Sequence, residues 1–106
     1  MENNIGRFAY SSSKSLVNSF TKSLSKEVAR YNIRVNAIAP GFVRTNMIKN
    51  ELELFEKYMP KKALGWPSDI AAVAATICSS KEGSFVNGET FLLTGGYPSP
   101  KLNFKL

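Results

Sequence analysis

Tyr10 and Lys14 are the residues whose types and spacing could do chemistry, with Ser11, Ser12 and Ser13 between them. At 3.6 residues per turn, positions four apart lie about 40° from each other, so in a helix the phenol and the ammonium share a face. A lysine cation one turn away favours the phenolate and lowers a tyrosine pKa that is ordinarily about 10. Such a phenol can pass a proton to or from an alcohol or carbonyl oxygen near neutral pH. The plain alternative is a tyrosine at the edge of a core beside a lysine that snorkels along its own stem. Tyr-x-x-x-Lys occurs by chance in many helices, so the choice rests on the elements around it.

The periodicity predicts a helix from about Ala9 to Arg30 or Tyr31, entered from a polar loop over residues 1–8. Its inward stripe is read as Tyr10, Lys14, Val17, Thr21, Leu24 and Val28, flanked by Leu16 and Phe20. Ser15, Ser19, Lys22, Lys26 and Arg30 fall on the far side. A lysine on an inward face is costly to bury unless something pairs with it. Asn32 tolerates the left-handed conformation of a C-cap and marks the stop. The β-branched run Ile33–Ala39 reads as a strand closed by Pro40-Gly41, where proline ends a ladder and glycine permits close backbone approach. A helix, a strand and then Pro-Gly mark the carboxyl end of a strand in an open α/β sheet, where such folds bind ligands.

A weaker helical pattern runs from Thr45 or Asn46 to about Tyr58, with Met47, Leu52, Leu54 and Phe55, and Pro60 ends it. Surfaces rich in Met and Leu either close over apolar ligands or pack on the body. Residues 61–66 read as a connecting loop. Pro67 suits the first position of a further helix, running to about Ser79, and Asp69 complements its dipole. Ile70, Val73, Ala74 and Ile77 form that helix's apolar stripe. Phe85-Val86 reads as a brief extended piece, Asn87-Gly88 as a turn, and Glu89–Thr94 as a second strand closed by Gly95-Gly96. Residues 97–106 carry no period and read as an irregular tail.

At 106 residues, with 43% hydrophobic and 21% charged content, the chain has the composition of at most one globular domain. It shows neither an apolar run long enough to span a membrane nor a secretory signal, so no membrane partner is expected and the location reads as cytoplasmic. Cys78, the single cysteine, reads as a small buried hydrophobe in a reducing compartment. The formal charge of +6 is scattered along the chain, without zinc spacing or basic-aromatic interleaving, and argues against a nucleic-acid partner. The absence of histidine excludes His-based triads within this chain, and no metal site is expected.

Taken in order, these motifs resemble the short-chain dehydrogenase/reductase family, of the classical type that includes 3-oxoacyl-carrier-protein reductases. The match covers about residues 8–96: the Tyr10–Lys14 helix, Ile33–Gly41, Pro67-Ser68-Asp69-Ile70-Ala71, and Asn87-Gly88-Glu89 through Gly95-Gly96. The resemblance implies an α/β fold, the carboxyl-terminal part of a Rossmann-like doubly wound parallel sheet, with two strands and three helices in a single partial domain. It implies NAD or NADP as cofactor and a small carbonyl or alcohol as substrate. Tyr10 would be the general acid/base and also touch the cofactor, and Lys14 would assist it and hold the nicotinamide ribose. Pro40, Gly41, Val43 and Thr45 would hold the nicotinamide, and Met47, Leu52 and Phe55 would belong to a substrate lid.

The family's glycine-rich turn, the residue that chooses between NAD and NADP, and the serine upstream of the tyrosine have no counterpart in these 106 residues. Thr94 stands where many members have aspartate. Two classes of function follow. The chain is part of an oxidoreductase, a homo-oligomer or one completed by an amino-terminal half; or it is a non-enzymatic remnant that only binds partner subunits.

Overall fold

The computed structural model describes residues 2–44, 49–58 and 64–96, without the side chains of 2–7, Tyr10, Lys49, Phe55 and Tyr58. Helix α1 spans Glu2–Val28 and continues as a 3-10 turn over Ala29–Tyr31. It begins seven residues before the expected Ala9, because the polar stretch Glu2–Arg7 holds no proline and carries a glutamate where the helix dipole favours one. Asn32 stops it as expected, in the left-handed region (φ 62°), with its N–H donating to the Ala29 carbonyl at 2.9 Å.

Strand β1, Ala37–Pro40, pairs in parallel with β4, Thr90–Leu93, with Ala37 opposite Thr90 and Pro40 opposite Leu93. Parallel pairing is what the family resemblance requires. β1 is shorter than the expected Ile33–Ala39 because side chains replace its ladder at the start. Asn87 Oδ1 accepts the Val35 N–H at 2.9 Å, and Asn36 donates to the Val86 carbonyl while accepting from the Glu89 N–H. Pro40, expected to lie beyond the strand, is inside it. Ala37 and Gly41 donate to Glu89 and Leu93, so the nitrogen of Pro40 points to the opposite edge and its missing N–H costs the ladder nothing.

A second parallel pair joins β2, Phe42–Val43, to β3, Leu64–Gly65, within the stretch expected to be a loop. Two-residue strands have no readable period, which is why the sequence hid them. Between them lies α2, Lys49–Tyr58. Helix α3, Pro67–Cys78, starts at Pro67 as expected, with Asp69 Oδ2 accepting the Trp66 N–H at 2.7 Å. The described residues thus hold four short strands where two were expected. Phe85, expected to be extended, lies in a turn and is fully exposed. In that turn the Glu82 carboxyl is held below the usual carboxylate range by the Ser79 hydroxyl and then by its own backbone N–H.

The two larger helices flank the β1–β4 pair. The Thr90 hydroxyl donates to Asn18 of α1 at 3.0 Å, whereas Ile38 and Phe91, of opposite parity on their strands, share clefts with residues of α3. On α3, Ile77 is buried and Ile70, Val73 and Ala74 are half-buried, which is the expected stripe. Cys78 falls one position round from it, at the helix end, and is exposed, contrary to expectation.

On α1 the face against the sheet is polar. Thr21 and Ser25 are each 4% exposed, with hydroxyls turned back onto the Val17 and Lys22 carbonyls. Leu16 is 70% exposed and Phe20 65%. Of the expected stripe Thr21 is buried and Lys14, Leu24 and Val28 are half-buried, whereas Val17 and the flanking Leu16 and Phe20 are exposed: small hydroxyl residues fit against the strands, and the bulky flank looks outward.

Arg34 ties these layers together. Its guanidinium donates to the Ile77 carbonyl at 2.7 Å and Val86 at 3.2 Å, and reaches Cys78 and Ser79 at 3.3 and 3.4 Å. A cation thus satisfies the carbonyls at the carboxyl end of α3, where the helix dipole favours one. Arg34→Met is expected to cost about 2–3 kcal/mol, because charged hydrogen bonds are lost and carbonyls are left without partners. The urea midpoint measures it; an unchanged midpoint would assign those carbonyls to solvent.

Candidate functional site

Contacts along α1 fix its direction. Ser25 lies against Gly88, before β4 begins, and Asn18 bonds Thr90 at the strand's first residue. The helix therefore runs antiparallel to the strands. At 1.5 Å per residue, Lys14 sits about 6 Å beyond Asn18 and position 10 about 12 Å beyond it. β4 rises about 10 Å from Thr90 to Leu93 at roughly 3.3 Å per residue. The Tyr10–Lys14 turn is thus level with the carboxyl ends of β1 and β4. Lys14 is half-buried there. Tyr10 is described only as helical backbone one turn further on.

At that edge the Gly41 N–H donates to the Leu93 carbonyl at 2.9 Å. A Cβ on Gly41 would meet the Thr94 Cα at 3.2 Å and its side chain at 3.3 Å, tighter than ordinary contact. A side chain at Gly41 would crowd the chain's own Thr94, which must then give by a few tenths of an ångström. Gly96, with φ 88°, follows, its N–H donating to the Thr94 hydroxyl at 3.2 Å. Pro40 is exposed, while Gly41 and Val43 are half-buried. Leu52 lies on α2, half-buried. Thr45 and Met47 lie outside the described residues, as does the side chain of Phe55.

Asn18 and Arg44 are not singled out in the sequence reading, which notes Thr94 only as a departure from the family's aspartate. Asn18 sits one turn below Lys14 on the same face, and the i, i+4 spacing that picked out Tyr10 and Lys14 extends to it. Arg44 and Trp66 stack, with the guanidinium carbon 4.4 Å from the ring centroid. Nothing in the sequence marks that pair, whose members are 22 positions apart. Among the described residues no group of three or more His, Cys, Asp or Glu could hold a metal ion, and no helix is long and apolar enough to cross a membrane.

Parallel strands with helices on both faces, and a glycine turn at their carboxyl ends, define the Rossmann-like α/β class, of which this chain forms the carboxyl-terminal part. Residues 2–98 match the family described as enoyl-(acyl carrier protein) reductase. The chain belongs to the short-chain dehydrogenase/reductase family. It is 38% identical over 97 residues to the mouse 3-oxoacyl-(acyl-carrier-protein) reductase, a match covering 91% of this chain and 40% of that protein. Among solved structures, a hydroxysteroid dehydrogenase from Escherichia coli superposes with a TM-score of 0.72 at 32% identity, covering 88% of this chain and 40% of that one. A 3-oxoacyl-(acyl-carrier protein) reductase from Brucella melitensis with bound NAD gives 0.66 at 40% identity, covering 81% and 32%. The chain thus spans about 40% of the length of the curated relatives it matches.

Proposed function

We propose that the chain is the proton-transferring and nicotinamide-holding portion of an NAD(P)-dependent oxidoreductase that interconverts a carbonyl and an alcohol. The observation that carries this reading is the antiparallel run of α1, which brings the Lys14 turn level with Gly41 and Thr94 at the carboxyl ends of the strands. The residues fit a nicotinamide nucleoside: a half-buried lysine at position 14, and a side-chain-free backbone at Gly41 beside the half-buried Val43. Such a cofactor, when bound, supplies or accepts the hydride.

In the reducing direction Tyr10 gives its phenolic proton to the substrate oxygen; in the oxidising direction its phenolate takes that proton. Lys14 favours the phenolate by its charge and donates hydrogen bonds to the ribose. Backbone around Pro40 to Thr45 orients the carboxamide. Met47, Leu52 and Phe55 cover the substrate and exclude water. An enzyme of this kind works as a homo-oligomer or together with an amino-terminal half. The exposed Leu16 and Phe20 support a second reading, a partner-binding module without chemistry.

The test joins this chain to the amino-terminal portion of a matched relative, replacing that relative's own matching part, and follows NADH and NADPH oxidation with small carbonyl compounds. Turnover by this completed enzyme is the expected result. A folded chimera that binds the cofactor and turns nothing over would leave the partner-binding module standing.

A further inference from the structure

Arg44 follows β2 directly, and three of its contacts converge on the other end of the excursion that contains α2. Its backbone N–H donates to the Gly65 carbonyl at 2.8 Å, extending the β2–β3 ladder by one step. Its guanidinium donates to the carbonyl of the buried Leu64. Its guanidinium carbon also sits over Trp66, 4.4 Å from the ring centroid, although that indole is 58% exposed. An arginine combines a planar face for the indole with edge donors for the carbonyl, which a lysine ammonium does only in part. A groove of about 600 Å³ is lined by this stack and Asp69 together with Leu52 and Glu56 of α2, one turn apart. Asp69 in turn fixes the Trp66 backbone.

We propose that Arg44 is a positioning residue: stacked on Trp66 and bonded to Leu64, it clasps the two ends of the α2 excursion and so fixes the turn carrying Gly41 and Val43. The β2–β3 ladder has only two residue pairs, and by itself it is too short to hold register. The clasp supplies the remaining hold. Its consequence for cofactor binding rests on the proposed nicotinamide role of Gly41 and Val43; the clasp itself does not.

Trp66 is the only tryptophan, so the emission of the full chain reports on the clasp directly. Arg44→Met should raise acrylamide quenching of Trp66 by roughly half to twofold, because the cation no longer covers the ring. Arg44→Lys should restore much of the protection. Cleavage by a glutamate-specific protease at Glu51, Glu53 and Glu56 in α2 should quicken about fivefold in Arg44→Met relative to cleavage after Glu27 in α1, an internal control for global unfolding. In the completed enzyme the same change should raise the cofactor KM about tenfold with a smaller change in kcat.

Unchanged quenching, or α2 and α1 cleavage rising together, would overturn the clasp. Failure of Arg44→Lys to restore protection would do the same. A completed wild-type enzyme without turnover would sink the hydride-transfer reading instead, while quenching and proteolysis would still decide the clasp.

Discussion

Tyr10→Phe in the completed enzyme is expected to cut kcat by about 10²–10⁴-fold, the contribution of a positioned general acid/base. The substitution removes one oxygen and leaves the ring, so helix α1 and its packing should persist. Cofactor KM should move little, because the lost group acts on the substrate oxygen. Lys14→Ala should damage both parameters, since the same ammonium favours the phenolate and holds the ribose. The contrast between the two variants is the informative result. Loss confined to kcat in Tyr10→Phe, with loss in both kcat and KM in Lys14→Ala, is the signature of the proposed division of labour. Retention of most activity by Tyr10→Phe would move the proton transfer to another group.

The pairing that defines the fold was legible because its parts have local signals. Ile33–Ala39 is β-branched and ends at Pro-Gly, Pro67 and Asp69 open a helix, and Asn87-Gly88 precedes the second strand. Each is a decision made within a few residues, and each matches the structure to within a few positions. What escaped depends on contacts between distant segments. Phe42–Val43 finds Leu64–Gly65 across α2, and Arg44 finds Trp66 by the same closure.

On α1 the expected stripe holds at Thr21, Leu24 and Val28 and fails at Val17 and its flank, Leu16 and Phe20, for a related reason. Hydrophobic periodicity assumes that the larger apolar residues look toward the sheet, yet the close approach to Gly88 and Thr90 selects Ser25, Thr21 and Asn18. At the candidate site Lys14, Gly41 and Val43 are half-buried and Pro40 is exposed near the carboxyl ends of the strands, and a ligand there is the proposal. Their roles came from the resemblance, since spacing alone gave only a shared helical face for Tyr10 and Lys14.

The exposed flank of α1 leads to the last expected result: the chain by itself associates and turns over no nicotinamide. Among the described residues the buried apolar side chains are Ala39, Leu64 and Ile77, a small core to offset the chain entropy lost on folding. Leu16 and Phe20 stand one turn apart and exposed, and covering such a side chain is worth about 1.5–3 kcal/mol. The described sheet containing β1 and β4 is two-stranded, so each strand also offers an open edge for pairing. Both features favour contact with another chain over a free monomer.

Sedimentation at micromolar concentration should therefore show species heavier than one chain. Replacing Leu16 and Phe20 together by glutamate should shift the distribution toward monomer, because charge on that row opposes its burial. Nicotinamide fluorescence should show negligible binding of NADH or NADPH, since within this chain the proposed contacts reach only the nicotinamide end of the cofactor. A monomeric sedimentation profile together with saturable micromolar NADPH binding would reverse both conclusions. It would mean that these 106 residues form a self-sufficient cofactor site.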